Sequence, residues 1–181
     1  MPISDLIARP ARFLVCAVAL ALTLALGACA GDQLQSTQPA FYRSMAQHGA
    51  VLDTAVAASM ISGYRSNNGL GAVVVDPELN RLAEAQTRAM VAKDKLDHNV
   101  GGEFKDRLKR GGYNARTAVE NISAGYHTLA EAFSGWRDSP PHKANMLNKN
   151  ATRMGIAAVY SPNSKYKVFW TLIMASPDTP S

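Results

Sequence analysis

Cysteine is nearly absent from the 181-residue chain, which has only Cys16 and Cys29. Two cysteines cannot build the disulfide-dense scaffold on which many small secreted domains depend. Excess charge is also small: the formal net charge of +5 does not by itself indicate nucleic acid as a partner. With 47% hydrophobic residues, the chain is too apolar and too weakly charged to be disordered throughout. Its length suits one folded domain.

Local catalytic motifs are missing as well. The sequence contains no glycine-rich phosphate loop, no H-E-x-x-H and no G-x-S-x-G. No internal repeat is visible, so a solenoid or a propeller is not indicated. Any site must therefore be assembled from residues that are dispersed along the chain.

The N-terminal segment has the composition of a targeting signal. Arg9 and Arg12 precede a run from Phe13 to Ala28 that contains no charged residue. The run is shorter than the about 20 apolar residues that a membrane-spanning helix usually needs. A basic segment followed by a short apolar one is typical of a secretory signal. We therefore predict a signal peptide over residues 1–28 and an exported protein.

The end of this run, LGAC at residues 26–29, resembles a bacterial lipoprotein box. The resemblance implies that Cys29 is acylated and becomes the new N-terminus, so that the partner is a membrane. Ordinary cleavage after Ala30 is the alternative. Cys16 leaves with the signal, so acylation of Cys29 predicts a mature fold without a disulfide. By resemblance to sorting rules, Ala30 after the lipid site favours the outer membrane if the host has two membranes.

Composition divides the rest of the chain. Residues 29–49 start as a polar, aperiodic stretch and are predicted to be the lipidated N-terminus and a tether. The folded domain is predicted over residues 50–176, with a short tail over residues 177–181. The domain must be stable without a disulfide, which its size permits.

Capping residues mark three helix starts. Asp76 and Ser139 each precede a proline, the residue favoured at the first helical position. Thr128 and Glu131 fit a capping box. The first of these helices should end near Leu96. Another short helix is predicted over Phe104–Arg110, with its basic residues on a solvated face: Lys105, Arg107, Lys109 and Arg110.

Strand-like segments occur near the C-terminus. Gly155 to Tyr160 and Val168 to Met174 flank turn residues, which predicts a hairpin. Helices followed by an antiparallel pair indicate an α+β protein rather than alternating βαβ units.

Three dispersed residues are candidates for a shared site: His98, Glu120 and His142. Two imidazoles and a carboxylate are ligands that zinc accepts, with a fourth position left open for a water or a ligand. The same groups are suited to general acid–base catalysis. They are equally compatible with a buried hydrogen-bond network that binds nothing. Spacing alone does not decide between these interpretations.

Seven short segments occur in an order that is more informative than any one of them. They are DPEL (76–79), DHN (97–99), GYN (112–114), ENI (120–122), WRDSPPH (136–142), NML (145–147) and GIA (155–157). Together they resemble the CAP superfamily, also called SCP/TAPS, which includes cysteine-rich secretory proteins, antigen 5 and plant pathogenesis-related class 1 proteins. The bacterial branch is the most similar, and the resemblance covers roughly residues 51–175.

The resemblance implies a three-layer α-β-α sandwich around a central antiparallel sheet, with a cleft that holds two histidines and two acidic residues. His98, Glu120 and His142 match three of these positions. At the fourth, Ser139 replaces the glutamate that many eukaryotic members have. Two acidic residues are candidates for a replacement: Glu131, for which the capping box predicts a structural role, and Asp138.

Three functions follow from this site. The first is a membrane-anchored binding module that holds a lipid, a glycan or another envelope ligand in the cleft. The second is a metal-dependent hydrolase of envelope material that uses His98, His142 and Glu120. The third is a non-catalytic interaction domain in which the cluster is structural. The missing second carboxylate weighs against an enzyme.

Overall fold

The computed structural model describes residues 38–178. The predicted signal peptide, Cys29, the start of the tether and the end of the tail lie outside these residues. The helices are α1 (Thr54–Ser66), α2 (Pro77–Lys93), α3 (Phe104–Arg110), α4 (Leu129–Asp138) and α5 (Pro140–Met146), after a short 3-10 helix at Ala40–Tyr42. The strands are β1 (Val74–Val75), β2 (Ala115–Ala124), β3 (Arg153–Tyr160) and β4 (Val168–Pro177). No described helix meets the length and hydropathy that crossing a membrane requires.

The four strands form one sheet in the order β1-β3-β4-β2. The predicted hairpin is confirmed as β3 and β4, and β2 pairs antiparallel with β4. The predicted α+β class is therefore confirmed. One detail differs from a purely antiparallel sheet, because the two-residue β1 pairs parallel with β3.

Alternation along β4 gives the sheet two buried faces. Ile173 and Ala175 pack with the apolar residues of α2 and α3. Leu172 and Met174 point the other way and pack with residues of α1, α4 and α5. Successive side chains of a strand point to opposite faces, so a strand buried on both sides is a continuous apolar run. The sheet is thus the middle layer of three.

The predicted helix starts are confirmed at α2 and α4. The Asp76 carboxylate accepts hydrogen bonds from two backbone amides of α2, and Thr128 and Glu131 form a reciprocal capping box. The end of α2 differs from the prediction. The helix stops at Lys93, before Leu96, because Asp94 adopts a left-handed conformation with φ 46°.

Arg65 fixes the position of α5, the helix that carries His142. The side chain of this α1 residue is buried, and the residue is only 1% exposed. Its guanidinium donates to the carbonyls of Met146, Asn148 and Ala151, at 2.9 to 3.0 Å, and to that of Gly71. Hydrogen bonds from a charged donor are stronger than neutral ones. The C-terminal end of α5 is therefore held firmly against α1.

Candidate functional site

The candidate site lies at the outer edge of the sheet, along β2. No strand was predicted here, although the ENI segment within β2 is one of the seven that carry the family resemblance. Glu120 and Asn121 are adjacent in β2, so their side chains point to opposite faces of the sheet. Each of the two residues anchors one half of the site.

Glu120 is the centre of the first half. Its side chain is only 2% exposed. One carboxylate oxygen lies 2.8 Å from Nδ1 of His98. Both oxygens accept hydrogen bonds from Nη2 of Arg107, at 2.7 and 2.9 Å. The structure therefore places two of the three candidate residues, His98 and Glu120, in contact, and it adds Arg107 as a third member.

Arg107 corrects the prediction that the basic residues of α3 form a solvated face. Its side chain is 6% exposed, and it lies against Glu120 rather than in solvent. Its Nε also donates to the carbonyl of Gly102. A charge is rarely buried without a partner, and the buried carboxylate of Glu120 supplies one.

Two side chains hold the loop that carries His98. Gln86, which is buried in α2, donates from Nε2 to the carbonyls of Asp97 and His98, at 2.9 and 3.0 Å. Arg107 also donates to the His98 carbonyl. The imidazole is thus positioned by its own backbone as well as by Glu120.

Asn121 anchors the second half. Its Nδ2 donates to the carbonyl of His142 at 3.0 Å. Asn145, one turn further along α5, donates to the side chain of Asn121 and to the backbone carbonyl of Glu120. These bonds fasten α5 to β2 and bring His142 to the same edge of the sheet as Glu120.

Ser139 contacts His142 rather than capping α5. The predicted N-cap position is correct, but the side chain makes no capping hydrogen bond. Instead, its hydroxyl lies 2.8 Å from Nδ1 of His142. Glu131 is used in the capping box of α4, and the exposed Asp138 pairs with Arg137. The partner of His142 is therefore the serine at the expected position, not either acidic alternative.

The two histidines have opposite electrostatic environments. The hydrogen bond to Glu120 raises the pKa of the half-exposed His98 above its ordinary value of 6.5. Burial, and then the charge of His98, lowers the pKa of His142 below the same value. The two shifts therefore act in opposite directions: the surroundings of His98 favour its charged ring, and those of His142 favour its neutral ring.

We expect the two imidazoles to titrate on opposite sides of pH 6.5 in chelator-treated protein. The bond of protonated His98 to Glu120 stabilises the fold below pH 6.5, and this contribution is lost as the pH rises through the raised pKa. His142 has the opposite effect on stability. Its pKa is lower in the folded protein than in the unfolded chain, so the fold loses stability as the pH falls from 6.5 through the lowered pKa. Proton NMR of the ring resonances measures both. Ser139→Ala serves as a control that leaves the His98 midpoint unchanged, and overlapping midpoints would contradict the assignment.

The donor set does not fit the three-ligand zinc site proposed from the sequence. Both oxygens of Glu120 face the guanidinium of Arg107, and a second cation there would be repelled. Within residues 38–178, no three His, Cys, Asp or Glu side chains are grouped so that they could hold a metal ion. Within the described part of the chain, the hydrogen bonds of the His98 and His142 rings are made through Nδ1, and neither Nε2 has a partner. Glu120 suits the role of a partner that orients a histidine, not that of a ligand.

Four side chains of the site were not predicted from the sequence, and each bonds to a residue at least 11 positions away in the chain: Gln86, Arg107, Asn121 and Asn145. Asn121 and Asn145 do belong to segments that carried the family resemblance, and this was the available signal. Nothing in the local pattern distinguishes Arg107 from the other basic residues of α3.

Comparison with protein families gives one match over most of the described chain. The model of the family described as CAP, cysteine-rich secretory protein family, matches residues 58–174. An uncharacterized protein of Bacillus subtilis, YkwD, is 33% identical over 105 residues. That match covers 56% of this chain but only 40% of the relative. The chain thus corresponds to less than half the length of this relative.

Solved structures show the same architecture. An extracellular protein with an SCP domain from Bacillus anthracis is 26% identical with a TM-score of 0.60, covering 67% of this chain and 39% of that one. An outer surface protein of Borrelia burgdorferi has a TM-score of 0.61 at 16% identity, covering 69% of this chain and 92% of the other. The three-layer arrangement described above is shared with these proteins.

Proposed function

Because this chain belongs to the CAP family of cysteine-rich secretory proteins, we propose that it is an exported, membrane-anchored binding protein of the bacterial cell envelope. Its ligand is a lipid, a glycan or another envelope component, held in the cleft around His98, Glu120, Ser139 and His142. An extracytoplasmic location agrees with the extracellular and outer-surface descriptions of the two structural relatives.

The observation that carries the proposal is the state of Glu120. A general base needs a carboxylate that reaches the substrate, and a metal ligand must not already be paired with another cation. Glu120 is buried, and its oxygens already accept bonds from Arg107 and His98. The residue therefore supports the cleft rather than reacting in it. This argues for binding over the metal-dependent hydrolase.

The groups left for a ligand are the Nε2 atoms of the two imidazoles. His98 shares the hydrogen of Nδ1 with Glu120, so its Nε2 carries a lone pair when the ring is neutral and a hydrogen when it is charged. The mostly neutral His142 meets Ser139 through Nδ1, so its Nε2 also remains available. Such a pair can both accept from and donate to hydroxyl groups, which suits a glycan or a polar lipid headgroup.

We expect protein isolated from its own envelope to carry a ligand that depends on the two histidines. Native mass spectrometry of the full-length protein should show a mass adduct, and added peptidoglycan fragments or envelope lipids should reproduce it. The variant His98→Ala/His142→Ala should lose the adduct, because both remaining ring nitrogens are removed.

His127→Ala is the matched control, since His127 is exposed and lies outside the site. It should retain the ligand. Recovery of only empty protein, together with no binding of either added material, would contradict the binding function. Conversion of the added fragments into smaller products would instead indicate a hydrolase.

We also expect Cys29→Ser to release the protein from the membrane fraction. Without the thiol, no acyl chain can be attached, and the membrane affinity that the chains supply is lost. Fractionation followed by immunoblotting measures the effect. Cys16→Ser is the matched control and should stay with the membrane, because Cys16 belongs to the predicted signal. Unchanged membrane association of Cys29→Ser would refute lipid anchoring.

A further inference from the structure

A groove lies between α3 and the first half of β2, outside the cleft described above. Its volume is about 600 Å³, within the range of about 300–1,000 Å³ that is typical of ligand pockets. None of the four cleft residues lines it. Its apolar lining is formed by Phe104, Leu108, Tyr113 and Ala118, which belong to the cluster between the sheet and helices α2 and α3. The groove is therefore a separate candidate site.

The part of β2 that lines this groove has a free backbone edge. β2 is the last strand of the sheet, and β4 is its one partner among the described strands. Backbone groups of successive strand residues point alternately to the two sides. The amide of Gly125 donates towards β4, to the carbonyl of Val168, whereas the carbonyl of Glu120 faces the other way and accepts from Asn145 of α5. Ala118, two residues before Glu120, therefore directs its N–H and C=O away from β4 as well.

This free edge is accessible at Ala118 because α5 covers β2 only further along, at Glu120. Ala118 lines the groove, so its outward backbone groups lie beside an open space with apolar walls. An extended peptide can pair with such an edge through main-chain hydrogen bonds, while neighbouring pockets take its side chains.

The rim of the groove is positively charged. Lys105 and Lys109 are four residues apart on α3, so they are neighbours on one face of the helix. Both are exposed, and neither forms an ion pair within residues 38–178. Arg116 of β2 pairs only with Asp178, at 4.0 Å, and both side chains are largely exposed. Such a pair contributes little, so three cations face one weakly held carboxylate.

The charge of the rim distinguishes two kinds of occupant. A second copy that paired its β2 with this β2 would place the same surface on both sides of a twofold axis. The cations of the two chains would then face each other, and like charges across a strand pair are destabilising. An acidic segment would instead gain ion pairs with the same cations.

We propose that this groove binds an extended acidic peptide segment of a protein partner, which adds to the sheet as a further strand beside Ala118. Its main chain bonds to the free edge of β2, its apolar side chains pack on the apolar lining, and its carboxylates pair with the cations of the rim. This interaction goes beyond the cleft ligand proposed above and does not depend on it.

Calorimetric titration of the full-length protein in neutral detergent tests the proposal. The probe is the peptide EVEVEV, blocked at both ends. We expect it to bind saturably, and QVQVQV, which lacks the charge, to bind clearly more weakly. An analogue of EVEVEV that is methylated on every backbone nitrogen should not bind, because it cannot donate to β2. Hydrogen exchange followed by NMR should show protection of the Ala118 amide by EVEVEV and not by the methylated analogue.

The variant Lys105→Gln/Lys109→Gln should bind EVEVEV about fivefold more weakly, as expected for the loss of two exposed ion pairs. Lys149→Gln/Lys165→Gln is the matched control, because it removes the same charge from two exposed lysines that do not line the groove. Its affinity for EVEVEV should be unchanged. No saturable binding, equal binding of the methylated analogue, or an equal loss in the control would overturn the proposal.

The same samples reveal other occupants. Binding of short-chain phosphatidylglycerol but not of EVEVEV would overturn the proposal in favour of an anionic lipid. A dimer in analytical ultracentrifugation that EVEVEV does not dissociate would overturn it in favour of a second copy. Binding of EVEVEV should be unchanged in His98→Ala/His142→Ala, so failure of the cleft proposal would be seen separately.

Discussion

Replacing Gly155 with alanine should destabilise the protein by more than about 4 kcal/mol, an effect at the extreme of single substitutions. A Cβ at this position in β3 would lie less than 3.0 Å from backbone atoms of Leu79 and Asn80 in α2. Overpacking of flexible side chains typically costs about 1–3 kcal/mol, because rotamers can adjust. Here the neighbours are backbone atoms, and α2 would have to move away from the sheet.

Moving α2 away from the sheet would also break a hydrogen bond between the helix and β3. The side chain of Asn80 accepts from the amide of Ile156, the residue after Gly155, at 2.8 Å. A shift of α2 would break this bond and disturb the layer that carries Gln86. Chemical denaturation followed by circular dichroism measures the loss, and insoluble protein would be the most severe form of it.

Gly63→Ala is the matched control for that experiment. Gly63 lies on the exposed side of α1, and nothing is within 4 Å of an added Cβ. Alanine is favoured over glycine inside a helix by roughly 0.5–1 kcal/mol, so this variant should be slightly more stable than the parent. Equal effects of the two substitutions would show that the contact between α2 and β3 is not tight.

Replacing Arg107 with methionine should cost about 3–5 kcal/mol, the range measured when one partner of a buried ion pair is removed. Methionine fills a similar volume but leaves the carboxylate of Glu120 buried without its cation. The carbonyls of Gly102 and His98 lose a donor as well. Urea unfolding at neutral pH measures the loss.

Two further variants separate the ion pair from simple packing. The double variant Arg107→Met/Glu120→Gln removes the uncompensated charge, so it should be more stable than Arg107→Met alone. Arg88→Met removes an arginine whose pair with Glu84 is exposed, and it should change stability by about 0.5 kcal/mol or less. A double variant no more stable than Arg107→Met would contradict the pairing of Arg107 with Glu120.

Ser139 shows how a family pattern and a local pattern can both be partly correct. The resemblance placed this residue in the cleft, and the serine before a proline placed it at a helix start. The position at the helix start is observed, and among the described residues the hydroxyl pairs with His142 instead of a backbone amide of α5. A serine reaches less far and carries no charge, so it gives His142 no anionic partner, which a glutamate would provide. The departure from the common pattern therefore changes the electrostatics of the site.

The sequence by itself determined the features whose interactions are local. The capping box of α4 joins residues three apart, and the cap of α2 joins Asp76 to amides two and three residues later. Apolar runs determined β3 and β4 in the same way. The order of the seven segments was sufficient for the family, and it singled out His98, Glu120, Ser139 and His142 as candidates for the site.

Only the tertiary structure decided what those residues do. Arg107 and Glu120 are 13 residues apart, and His98 and Glu120 are 22 apart. Their contacts exist because β2 occupies the edge of the sheet next to α3, which no local pattern specifies. Arg107 was predicted to lie on a solvated face with the other basic residues of α3, but a charge is buried or exposed according to the partner that the fold brings to it. That partner turns Glu120 from a candidate metal ligand into a support for His98.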